Sequence, residues 1–80
     1  MVTTLNLLPI GRSGLIREIT ADHVTKERLE SLGFIVGVEI SAVRKPPLGS
    51  IRIYQCLNTL IALRGDIADK VRVEAADGQK

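Results

Sequence analysis

Few side chains here are equipped for chemistry. There is one histidine, His23, one cysteine, Cys56, and two aromatic residues, Phe34 and Tyr54. His23 follows Asp22 and precedes Glu27 by four positions, a spacing that sets an imidazole and a carboxylate side by side on a helix and, with Asp22, could offer three ligands to a divalent metal ion. Such pairs occur by chance on any helix, so a polar surface role is the stronger reading and no metal ligands are assigned. One cysteine and one histidine are two ligands short of a structural zinc site. A lone cysteine closes no internal disulfide and holds no iron–sulfur cluster, and the cysteine usage points to a reducing cytosol. Cys56, on the strand face of Tyr54, is expected to be partly exposed, but it has no basic neighbour to lower its pKa and is read as an inert thiol. No G-x-x-x-x-G-K-[S/T] run is present to hold a nucleotide. No catalytic residue and no cofactor is assigned from these residue types, and the chain is not read as an enzyme.

Contact must then be written on exposed side chains. Strand parity is read with Ile51, Ile53, Leu63 and Val73 pointing inward and Arg52, Tyr54, Arg64 and Arg72 outward. Tyr54 beside an arginine has the composition of an interface centre. In Arg44-Lys45-Pro46-Pro47-Leu48, two prolines stiffen an exposed loop and lessen the entropy lost on docking. The candidate partner-binding residues are Arg44, Lys45, Pro46, Pro47, Leu48, Arg52 and Tyr54. One exposed tyrosine cannot build the multi-aromatic groove that grips proline-rich ligands.

The elements that position these residues fit one small domain, since 80 residues at 45% hydrophobic leave no room for a second core. Residues 1–75 form that domain and residues 76–80 a polar tail. Leu5, Leu7 and Leu8 open a short apolar segment that turns once before Pro9 and seals the core. Gly11-Arg12-Ser13-Gly14 is read as a turn, followed by a strand over Leu15–Ile19 whose apolar spacing calls for a bulge or an early end. Ala21 to Leu32 carries a helical pattern on Val24, Leu29 and Leu32, with Asp22 or Thr25 as N-cap. Gly33 is placed to end it in a left-handed conformation, bringing Phe34 onto Leu29. Alternation then marks four more strands around Val38–Ala42, Ile51–Ile53, Ile61–Leu63 and Val71–Val73, with a hairpin turn near Leu57-Asn58 and a single helical turn capped by Asp66. Five short strands with one inserted helix suggest a mainly β, partly open small barrel.

The run Arg28-Leu29-Glu30-Ser31-Leu32-Gly33-Phe34-Ile35-Val36-Gly37-Val38-Glu39-Ile40 sets helix end, glycine cap, turn glycine and strand start in fixed order. With Pro47-Leu48-Gly49 and Ile61-Ala62-Leu63-Arg64, it resembles the FeoA family, small cytosolic companions of the bacterial ferrous iron transporter FeoB. The resemblance runs from Leu5 to Val73. It implies an SH3-like barrel without catalysis of its own, a cytoplasmic location, and the FeoB transporter with its GTP-binding domain as partner. Many family members continue Gly-Asp-Pro after the loop leucine, whereas here Gly49 is followed by Ser50-Ile51. A differently shaped turn is the favoured account, with loss of a partner-recognising aspartate as the alternative.

Two other matches are weaker. Gly11-Arg12-Ser13-Gly14 contains the G-x-x-G of a KH domain but lacks room for the helix that must precede it. Leu32-Gly33 through Ile40 partly fits AbrB-like hairpins, yet no Ile-Pro dipeptide precedes Val24 and the long second half has no counterpart. A role like that of FeoA-type domains in metal-dependent repressors would need a helix-turn-helix, and the sequence has none. Residues 1–40 hold four basic and five acidic side chains and residues 41–80 seven and four, for a net charge of +2. The basic second half leaves a nucleic-acid-binding barrel as the alternative function, although a solvated strand surface gives the same count. No apolar run approaches the ~20 residues of a membrane helix, and the first residues lack the basic start of a signal peptide. A short edge strand with few blunting charges permits a weak homodimer.

Overall fold

The structure is a computed structural model describing residues 1–47 and 49–75. Leu48 and the proposed tail, 76–80, lie outside the described residues. The chain runs β1 (Val2–Thr4), a 3₁₀ turn (Leu5–Leu7), β2 (Ser13–Ile19), α1 (His23–Ser31), β3 (Glu39–Arg44), β4 (Arg52–Cys56), β5 (Thr59–Leu63), α2 (Gly65–Ala68) and β6 (Val71–Ala75). The strands form one antiparallel sheet in the order β1-β6-β2-β3-β4-β5. Among the described residues six strands are present where alternation marks five, because β1 is too short to show a period and exists only by pairing with β6.

The sheet curls around an aliphatic core. Leu5 and Leu8 insert into it from the 3₁₀ turn, as the opening apolar segment suggests, and meet Ile16, Ile40, Val71 and Val73. The bulge expected in β2 is a register shift between Ile16 and Glu18 against β6, which returns Ile19 to the core. β2 begins two residues earlier than its apolar pattern indicates. Gly14 is therefore a strand residue between β3 and β6, not part of a turn. A Cβ there would stand 2.7 Å from the Glu74 carbonyl oxygen, so only glycine allows β6 to approach this closely.

Helix α1 starts where Asp22 accepts a hydrogen bond from the Thr25 N–H at 3.0 Å. That bond satisfies an orphan donor and holds the Asp22 carboxyl below its ordinary pKa. The helix ends in a Schellman motif: Gly33 takes φ +102°, its N–H donates to Glu30, and the Phe34 N–H donates to Leu29. Phe34 and Leu29 are both buried in the core, as their spacing suggests. The rest of the expected apolar face is not buried. Leu29 alone packs inward, while Val24 and Leu32 are 63% and 45% exposed. α2 is the expected single turn, but its N-cap is Arg64. Asp66 lies within the first turn, 3.2 Å from the Arg64 guanidinium, and caps nothing.

Candidate docking surface

β4 presents the opposite parity to the one its sequence suggests. Tyr54 pairs with Ala42 and Ile61, and Cys56 with Ile40, so both turn inward with the rest of the core. Tyr54 is 0% exposed and cannot anchor a partner. Its hydroxyl points at the Leu5 carbonyl, 3.4 Å away. Burial raises the phenol above its ordinary pKa, only partly opposed by the Arg52 charge. Cys56 is likewise buried, not partly exposed, with its thiol 3.3 Å from the Gly33 carbonyl and its pKa raised by desolvation. Such a thiol is unreactive.

Arg52 does not project outward as a free surface cation either. Its guanidinium spans to the 3₁₀ turn and donates to the carbonyls of Asn6 and Leu8, the latter at 2.5 Å. It also lies 5.8 Å from the Tyr54 ring centroid. The carbonyl end of a short helical turn carries partial negative charge, so a half-buried guanidinium there ties the N-terminal segment to β4. Of the seven sequence candidates, Arg52 and Tyr54 thus hold the fold together. Arg44 and Lys45 are exposed, Pro46 is partly covered and Pro47 exposed. Arg64 and Arg72 point outward as expected.

Turning Tyr54 inward sends Ile53 outward. Ile53 faces Ala62 of β5 and Arg44 of β3, and a register shift between Ala42 and Arg44 leaves Val43 as the extra residue of a bulge. Val43, Arg44, Ile53, Leu60 and Ala62 line one open groove on the outer face, with Leu60 64% exposed. A second, polar hollow further along the same strands is lined by Glu39, Ser41, Gln55 and Leu57. Leu57 opens the two-residue turn between β4 and β5 at φ +58° and is 66% exposed, an unusual conformation for leucine. The outer face of β3–β4–β5 is thus apolar at the end where the Arg44–Pro47 loop leaves and polar at the other.

Other features singled out by type fall elsewhere. His23 and Glu27 form a 3.2 Å pair on the exposed surface of α1, while Asp22 is engaged as the cap. Among the described residues no three His, Cys, Asp or Glu side chains gather as a metal site, and no helix is long and apolar enough to cross a membrane. The second-half cations Arg72 and Arg64 lie near Glu18 and Asp66, at 4.0 and 3.2 Å.

The family model for the FeoA domain matches residues 3–75. The chain belongs to the FeoA family. The fold agrees with solved structures of FeoA proteins. Stenotrophomonas maltophilia FeoA complexed with zinc is 33% identical with TM-score 0.79 over 90% of this chain and 89% of that one. That protein is described as a prokaryotic SH3-domain protein and a candidate bacterial ferrous iron transport activating factor. Iron(II) transport protein A from Clostridium thermocellum is 32% identical with TM-score 0.88, covering 95% of this chain and 47% of that one. An iron uptake regulatory protein, FeoA, is 25% identical with TM-score 0.85 over 95% of this chain and all of that one. No curated protein gives a significant match. The SH3-like barrel expected from the resemblance is therefore present, its sheet left open between β5 and β1. At the family's Gly-Asp-Pro position, Gly49 takes φ +71° in an exposed turn with Ser50. Val43, Ile53, Leu60 and Ala62 escaped the sequence reading. The available signal was that β4 is apolar on both parities, so one apolar side had to face out.

Proposed function

We propose that this FeoA-family chain is a non-enzymatic, cytoplasmic accessory or regulatory protein of bacterial ferrous iron uptake that binds the cytosolic part of a FeoB-type transporter. The observation that supports this most directly is the outward groove of Val43, Ile53, Leu60 and Ala62, bordered by Arg44. An apolar strip continuous with a basic, proline-stiffened loop is suited to a partner surface with apolar and acidic groups. Arg44, Lys45, Pro46, Pro47 and Leu48 remain the loop side of that contact. Arg52 and Tyr54 are replaced as contacts by Val43, Ile53 and Leu60.

The test is titration of the transporter's cytosolic domain with this protein carrying Val43→Asp or Arg44→Glu, together with ferrous iron uptake in cells lacking it. Binding weakened at least about tenfold by each variant, with reduced uptake in the deletion strain, is the expected result. Normal uptake after deletion would refute the role. The nucleic-acid alternative has less support, because Arg72 lies near Glu18 of β2, a carboxylate outside the second-half count.

A further inference from the structure

β5 forms one edge of the sheet, and among the described residues its only strand partner is β4. Its five residues, Thr59-Leu60-Ile61-Ala62-Leu63, include no charge and no proline, and its pairing with β4 has no bulge. These are the devices that usually keep an edge strand from pairing with another chain. At the opposite edge β1 is only three residues long.

The phase of the open hydrogen-bonding groups follows from the hairpin. A two-residue turn at Leu57-Asn58 makes Cys56–Thr59 a hydrogen-bonded pair, and alternation makes Tyr54–Ile61 and Arg52–Leu63 the next ones. Leu60 and Ala62 therefore direct their N–H and C=O groups away from β4. Their side chains lie on the outer face, both exposed, while Ile61 and Leu63 point into the core.

We propose that β5 pairs antiparallel with β5 of a second copy of this chain, Leu60 of each opposite Ala62 of the other and Ile61 on the twofold axis. Of the registers that match outward groups with outward groups, this one engages all five residues of each strand. Each Leu60–Ala62 pair exchanges two backbone hydrogen bonds. Like charges do not meet: the first charge beyond the strand, Arg64, falls opposite Asn58 of the second copy and not opposite its own counterpart. On the outer face, Leu60 of each copy lies beside Ala62 of the other, so the apolar groove continues across the axis. The contact is isologous and closes as a dimer, unlike a β1-to-β5 contact, which would propagate. It does not depend on the transporter.

So small a contact predicts weak association, with a dissociation constant of about 0.1 mM. Sedimentation of the full chain from about 10 µM to about 1 mM should show monomer converting to dimer around that value. Over the same range the amide protons of Leu60 and Ala62 should gain protection from exchange, while that of Ile61, bonded to β4 throughout, should not. Ala62→Pro removes an outward N–H without touching the β4 ladder, and Leu60→Lys adds charge beside the axis. Each should weaken dimerisation at least about tenfold in a chain whose circular dichroism shows it folded. Monomer throughout, open-ended oligomers, a dimer indifferent to both folded variants, or unchanged Leu60 and Ala62 exchange would overturn the proposal.

Discussion

β4 and β6 are each five residues long and lie in the same sheet, yet they treat their two faces differently. β6 alternates strictly. Val71 and Val73 are buried, while Arg72 and Glu74 face solvent near Glu18 and Arg17. In β4 both faces carry apolar residues: Tyr54 and Cys56 go in, Ile53 goes out beside the polar Gln55, and the arginine serves the interior instead of the surface. Charge on one side of a strand fixes its orientation and keeps it apart from other molecules. A strand without that signal is oriented by its neighbours, and its leftover apolar side is where contact with another molecule becomes favourable.

The sharpest challenge to this contrast is Tyr54→Ala. If Tyr54 is core, truncation should cost about 3–5 kcal/mol in chemical denaturation, whereas an outward tyrosine would cost almost nothing. Arg52→Met should cost about 2 kcal/mol by leaving the Asn6 and Leu8 carbonyls without their charged donor, and it should speed exchange in the 3₁₀ turn. Leu57→Gly, at the hairpin end of β4, should instead raise the melting temperature, with a gain of up to about 1 kcal/mol from relief of the left-handed leucine.

Alkaline titration probes the same burial. The folded Tyr54 pKa is raised above 10.0, so its neutral form contributes stability that is fully present below pH 10.0 and is lost as pH rises through the folded value. Tyr54→Phe should flatten the fall in stability above pH 10.0, leaving the contribution of Cys56, whose raised pKa starts from 9.0. An unchanged slope would place the phenol in solvent. The smallest effect belongs to β6: Arg72→Ala should alter stability by less than about 0.5 kcal/mol, because its ion pair with Glu18 is long and exposed.

Much of the fold was legible in local patterns. The helix end at Gly33-Phe34, the bulge in β2 and the inward faces of β3, β5 and β6 each follow from a signal contained within a few residues. Of the proposed docking surface, sequence patterns pick out only the loop, Arg44 to Leu48. Its other members, Val43, Ile53, Leu60 and Ala62, gather through a bulge and a register shared by three strands. Helix α1 shows the same limit: the apolar Val24 and Leu32 mark a helix, but they do not say that Leu29 alone finds the core.

By itself, then, the sequence determined a small aliphatic β-domain with one capped helix, the FeoA family, and the scarcity of side chains suited to catalysis. Tertiary structure decided which face of β4 is buried, and with it that both aromatic residues belong to the core and that Arg52 binds backbone carbonyls. The physical reason is the period of a strand. Successive side chains take opposite faces, so moving the register by one residue exchanges inside for outside, and where both faces are apolar only the pairing with Ala42 and Ile61 selects between them.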